Sequence, residues 1–133
     1  MFIDRLLNDG NAPVIEASAR FAAARHRILA EDIANVDTPG YVQKDLSVNK
    51  FRELLSTRLD SRDSAAPGSV GFDDINGEME NPTAGILYHD KNNRSMEQLM
   101  TDGVKNALFH NMMIELLRRQ YSTLDMALKE RAG

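Results

Sequence analysis

Cysteine is absent from this chain of 133 residues. Structural disulfides, thiol nucleophiles and cysteine-based zinc sites are therefore excluded, while the compartment stays open, because such a chain suits reducing and oxidising spaces equally. Tryptophan is also absent and aromatic residues make up 6% of the total, which excludes a large aromatic core. No apolar run approaches the roughly 18 residues that would suggest a membrane-spanning helix. The N-terminal stretch MFIDRLLNDG lacks the apolar region of a signal peptide, since Asp4 and Arg5 interrupt Phe2, Ile3, Leu6 and Leu7. Positive charge is not in excess: the formal net charge is −4, which supplies no basic footprint for nucleic acid. These absences predict a soluble chain synthesised in the cytoplasm, of one domain's length.

What is present favours helix. Hydrophobic residues make up 42% and charged residues 27%, and the seven methionines accompany many Ala and Leu. Over residues 13–37 Val14, Ala17, Phe21, Ala24 and Ile28 follow alternating steps of three and four, and the stripe then drifts to Leu29, Ile33 and Val36. Pro13 is tolerated in a first turn. Arg20, Arg25 and Arg27 take the opposite face, with Glu16–Arg20 as an i,i+4 pair. Residues 38–59 carry a sharp turn, a short extended piece around Val42 and Leu46, and a short helix with Phe51, Leu54, Leu55 and Leu59 on one face.

Residues 60–94 read as an irregular, partly disordered acidic linker. Seven acids face one base, Arg62, between Asp60 and Asp90, among Pro67-Gly68, Asn76-Gly77 and Asn81-Pro82. Its apolar island, residues 85–89, predicts a strand. Residues 95–133 form the longest helix. Ser95 and Gln98 have capping-box spacing, and Met100, Ala107, Ile114, Tyr121 and Leu128 recur every seven residues with Leu117 and Leu124 between them. Gly103 and His110 are the weak points of that seam. About 35 helical residues span roughly 50 Å, a coiled-coil length. The expected fold is all-α: long terminal helices packed as a coiled coil about an irregular middle. The packing seam is Val14, Phe21 and Ile28 on one helix and Ile114, Leu117, Tyr121, Leu124 and Leu128 on the other. It outruns the N-terminal helix and leaves apolar surface for neighbouring copies.

Chemistry is not in evidence. His26, His89 and His110 stand in no metal-ligand spacing. Asp73, Asp74, Glu78 and Glu80 lack the ligand order of a calcium loop. The arginines of residues 20–27 and Arg118-Arg119 lie opposite apolar stripes and read as solvated faces. No catalytic, cofactor-binding or metal residue is assigned, and neither nucleic acid nor a small-molecule substrate is expected.

The definite feature is NVDTPGY, residues 35–41. Pro39 removes an amide donor and pushes Thr38 out of the helical region, so the helix must end by Thr38. Pro39 and Gly40 occupy the central positions of a type II turn. Asn35 and Asp37 offer side chains to backbone groups freed at the helix end. Such residues set geometry rather than reactivity, and the corner reads as an assembly joint.

Leu29, Ala30, Ile33, Ala34, Asn35, Thr38, Pro39, Gly40 and Tyr41 resemble the N-terminal signature of the flagellar rod, hook and hook-associated axial proteins, approximately L-A-N-N-I-A-N-x-x-T-P-G-Y. Asp37 and Asp45 further resemble the proximal-rod form within the flagellar basal-body rod protein family. The C-terminal helix is similar to that form less specifically. Glu31-Asp32 depart from the pattern, where Ala-Asn or Asn-Asn is usual, and Val48 replaces a frequent Phe. The resemblance implies a non-enzymatic subunit of the rod, part of a helical tube spanning the periplasm. It also implies self-association, contact with other rod proteins and with the membrane-ring/rod junction, and passage through the flagellar type III export gate without signal cleavage. Phe2 and Leu6, within an N-terminal segment 1–12, resemble a short export motif. The free subunit is expected to be partly disordered at its ends and to order on assembly. The rival reading is a cytoplasmic helical-hairpin adaptor or export chaperone using the Arg20, Arg25 and Arg27 face; an enzymatic role for His89 with the acidic loop ranks below it.

Overall fold

The computed structural model describes residues 11–65, 70–79, 85–89 and 94–132, with the backbone alone over 87–89. Phe2 and Leu6 lie outside the described residues. Helix α1, Ala12–Ala34, begins with Pro13 in its first turn, where the missing amide has no intrahelical partner to lose. It ends three residues short of position 37. The Asn35 side-chain amide donates to the Glu31 carbonyl at 2.9 Å and the Asn35 backbone amide to the same carbonyl at 3.0 Å, so the helix is closed before Pro39 acts.

After the corner, strand β1, Gln43–Leu46, leads into helix α2, Val48–Asp63. Ser47 caps α2 by accepting the Lys50 amide at 3.1 Å. Phe51, Leu55 and Leu59 recur at i, i+4, i+8 and are buried, and Phe51 stacks on Phe21 of α1 with ring centroids 4.2 Å apart. The helix runs four residues beyond Leu59, into the expected linker.

The irregular middle carries two short elements, of which the strand was expected. It contributes a one-turn helix α3, Ile75–Met79, and a strand β2, Ile86–His89, which pairs antiparallel with β1 from Gln43↔His89 to Leu46↔Ile86. Ile75 and Met79 enter the core, and Arg58 of α2 holds the acidic loop by donating to Asp74 at 2.7 Å and Glu78 at 3.2 Å. Acids that repel one another in a free linker are thus drawn to a shared cation. Gly85 is required where β2 begins, because a Cβ there would collide with the Met79 backbone. The fold is all-α apart from this two-stranded ribbon.

Helix α4, Met96–Ala132, has 37 residues and a length of about 55 Å. Ser95 and Gln98 make the reciprocal capping-box bonds at 3.0 and 3.3 Å. The helix lies antiparallel on α1: Arg94 meets Asp32 at 3.3 Å, and Asn106 donates to the Ala22 carbonyl at 2.7 Å. The start of α1 therefore falls near residue 116 of α4. The buried line on α4 is Leu99, Asn106 and Met113, one residue before the Met100, Ala107, Ile114 line of the heptad reading. A hydrophobicity pattern passes over Asn106, yet its amide is satisfied on the α1 backbone and so belongs in the seam. Ile114 and Leu117 are half-buried against the core that holds Val14 and Phe21.

Candidate assembly site

The corner is built as a type II turn. Gly40 takes φ +76°, and the Tyr41 amide donates to the Thr38 carbonyl at 3.2 Å across Pro39 and Gly40. The Thr38 hydroxyl donates to the Asn35 side-chain oxygen at 3.2 Å, fixing the entry to the turn. Leu29 is buried, Ile33 is half-buried, and Ala34, Asp37, Thr38, Pro39 and Gly40 present an exposed rim.

Under that rim lies a charge network that the sequence reading missed. Asp32 is fully buried; its carboxylate accepts the Tyr41 hydroxyl at 3.1 Å and the Lys44 amide at 3.0 Å, which bends the chain back onto α1. Arg94, at the entrance to α4, donates to Asp32 at 3.3 Å, Asp45 at 3.1 Å and Asp102 at 2.8 Å. Arg25 grips Asp45 with two bonds of 2.8 and 3.0 Å. Gln43 accepts the Arg94 amide at 2.8 Å and donates to its carbonyl at 2.9 Å. One arginine thereby staples α1, β1 and α4 at the corner.

The electrostatics follow from burial. Desolvation raises the Asp32 carboxyl above the ordinary carboxylate value, opposed by the Lys44 amide, the Tyr41 hydroxyl and Arg94. Burial and the neighbouring Asp32 push the Tyr41 hydroxyl up to about 12. The bond to Asp45 raises the Arg25 guanidinium above its usual value. Arg25 is therefore an internal anchor and not part of a solvated arginine face, which removes one element of the adaptor's contact surface. Asp32 was noted in the sequence as a departure from the family pattern; its place is inside the subunit. Asp45, already recognised in the motif, was the available signal that a cation must sit nearby.

Among the described residues the histidines do not assemble a centre. His26 and His110 line one open cleft between α1 and α4 with Asn106 and Asn111, and among the described residues no group of three His, Cys, Asp or Glu is placed to hold a metal ion. The His89 side chain lies outside the described residues. No helix of the described residues is long and apolar enough to cross a membrane.

Beyond Leu117 α4 projects without α1. Tyr121, Leu124 and Leu128, expected in the packing seam, are 53%, 55% and 58% exposed in the single chain. A stapled corner, an antiparallel helix pair and a bare helical extension define an assembly protein whose working parts are surfaces. The comparisons agree in kind. The chain is 28% identical over 113 residues to the flagellar basal body rod protein FlgB of Aquifex aeolicus (strain VF5), covering 84% of this chain and 87% of that protein. It is 23% identical over 124 residues to FlgB of Bacillus subtilis (strain 168), covering 92% of this chain and 95% of that protein. Both matches support the flagellar basal-body rod family, FlgB type, that the corner motif resembles. No protein-family model matches the chain. No solved structure matches it.

Proposed function

We propose that this chain is a structural subunit of the bacterial flagellar basal-body rod that assembles through its terminal helices and performs no catalysis. The carrying observation is the bare extension of α4 beyond the stapled helix pair, in a chain similar to rod proteins along most of its length. An apolar helix face left in water favours association. A heterologous contact that does not close yields a filament, the form a rod requires. The corner supports this by fixing where the chain leaves α1, so that every copy presents its rim at the same place. Neighbouring rod proteins and the membrane-ring/rod junction are its partners in this reading. The export gate is the route out of the cytoplasm, with Phe2 and Leu6 as the motif it reads.

Mass spectrometry of detergent-purified basal bodies tests the reading. The expected result is this chain among the rod components with its N-terminal peptide intact from Phe2 onward. Recovery only in the soluble cytoplasmic fraction of fully flagellated cells would overturn it.

A further inference from the structure

Two apolar faces of α4 remain after α1 is seated, and they point in opposite directions. Met100, Val104, Leu108 and Met112 recur every four residues and are 52–65% exposed. A helix turns about 100° per residue, which sets this outer stripe roughly 180° from the buried Leu99–Asn106–Met113 line. Tyr121, Leu124 and Leu128 instead continue the buried line past the end of α1.

We propose that the outer stripe of one copy receives the distal stripe of a second copy, with the two α4 helices parallel and staggered by about 20 residues, roughly 30 Å. The proposal rests on the rod reading and names the mating surfaces within it. The register follows from the sequence. Met100 meets Tyr121, Val104 meets Leu124 and Leu108 meets Leu128 at a near-constant offset. Charge agrees with it at one end. Glu97, three residues before Met100, meets Arg118, three residues before Tyr121, at the same offset of 21. An acid at the head of one stripe and an arginine at the head of the other attract across the pair, whereas like ends repel. The contact is heterologous, because the two stripes differ and face opposite ways. Each copy can therefore give one and accept one, and the series stays open. The parallel sense follows because one screw operation, repeated along an open series, leaves every copy pointing the same way along its axis.

The absence of cysteine makes the test clean. Full-length Leu108→Cys chains are mixed with full-length Leu128→Cys chains under mild oxidation, and the disulfide-linked species are identified by mass. Both positions are exposed, so the fold is retained. The mixed pair is expected to cross-link several-fold faster than either variant with itself. In parallel, Glu97→Arg should weaken association by up to about fivefold, with recovery when mixed with Arg118→Glu chains. Preferential linking of Met100→Cys to Leu128→Cys would show an antiparallel pair and overturn the proposal. Linking of Leu108→Cys to itself would show a symmetric contact, and linking to Phe2→Cys would show the N-terminal segment as the occupant; either overturns it, as does the absence of any link at concentrations where the chain associates. Wild-type chain present in basal bodies, together with no preferential link between the Leu108→Cys and Leu128→Cys variants, would refute the register and leave the rod reading standing. Its absence from basal bodies would instead refute the rod reading.

Discussion

The two halves of α4 both carry apolar stripes, in different circumstances. The first half rests on α1 through Leu99, Asn106 and Met113 and is anchored at its entrance by Arg94. The second half continues the apolar line and has no partner among the described residues, with Leu124 more than half exposed. One helix thus contains a region whose side chains stabilise the subunit and a region whose side chains, on the proposed reading, await other subunits. Spacing alone does not distinguish them. The difference arises because α1 begins at Ala12, opposite the middle of α4.

Four perturbations sharpen the contrast. The largest effect is expected from Arg94→Ala, which strands the buried Asp32 carboxylate and its neighbours Asp45 and Asp102. Loss of one partner from a buried pair costs about 3–5 kcal/mol, and urea unfolding should show a correspondingly lower midpoint. Next comes the pair Leu99→Ala and Leu124→Ala. The first removes a fully buried side chain and should cost about 2–5 kcal/mol. The second should leave subunit stability within about 0.5 kcal/mol, while sedimentation reads weaker self-association. Equal losses from both would erase the division of the helix.

Gly40→Ala should cost about 1–2 kcal/mol, because the corner needs a left-handed backbone there. No atom crowds the position, so the cost is conformational and not steric. An unchanged midpoint would mean the turn relaxes freely.

The smallest effect is expected from Asp32→Asn, and it depends on pH. Burial raises the folded-state carboxyl above its unfolded value. Its contribution is therefore fully present below the unfolded value and is lost as pH rises through the folded one. The variant lacks that loss. Its stability relative to wild type should rise between acid and neutral pH, read from urea midpoints at the two conditions. A difference that stays constant, or falls toward neutral pH, would contradict the assigned direction.

The legible parts of this fold were those encoded within one turn or one helix. Pro39 and Gly40 specify the corner locally, Ser95 and Gln98 the start of α4, and Phe51, Leu55 and Leu59 the inner face of α2. The Arg94 network was not legible, because Arg25, Asp32, Asp45, Arg94 and Asp102 come from separate segments and form no periodic pattern. The α4 register was missed by one residue for a related reason: Asn106 is polar, and only the Ala22 carbonyl opposite it justifies its burial. The outer stripe escaped because its four-residue step does not match the seven-residue template used for the seam. Composition also gave no sign of what holds the acidic segment, where Arg58 supplies from α2 the charge the linker lacks.

The central claim is that the second half of α4 is bare in the free subunit and covered in the rod. Hydrogen exchange by mass spectrometry compares residues 96–117 with 118–132, first in the free chain and then within isolated basal bodies. In the free chain the second half should exchange much faster, as an unsupported helix end does, and in the rod it should become as protected as the first. Equal protection of both halves in the free chain, or fast exchange of 118–132 within basal bodies, would contradict the account.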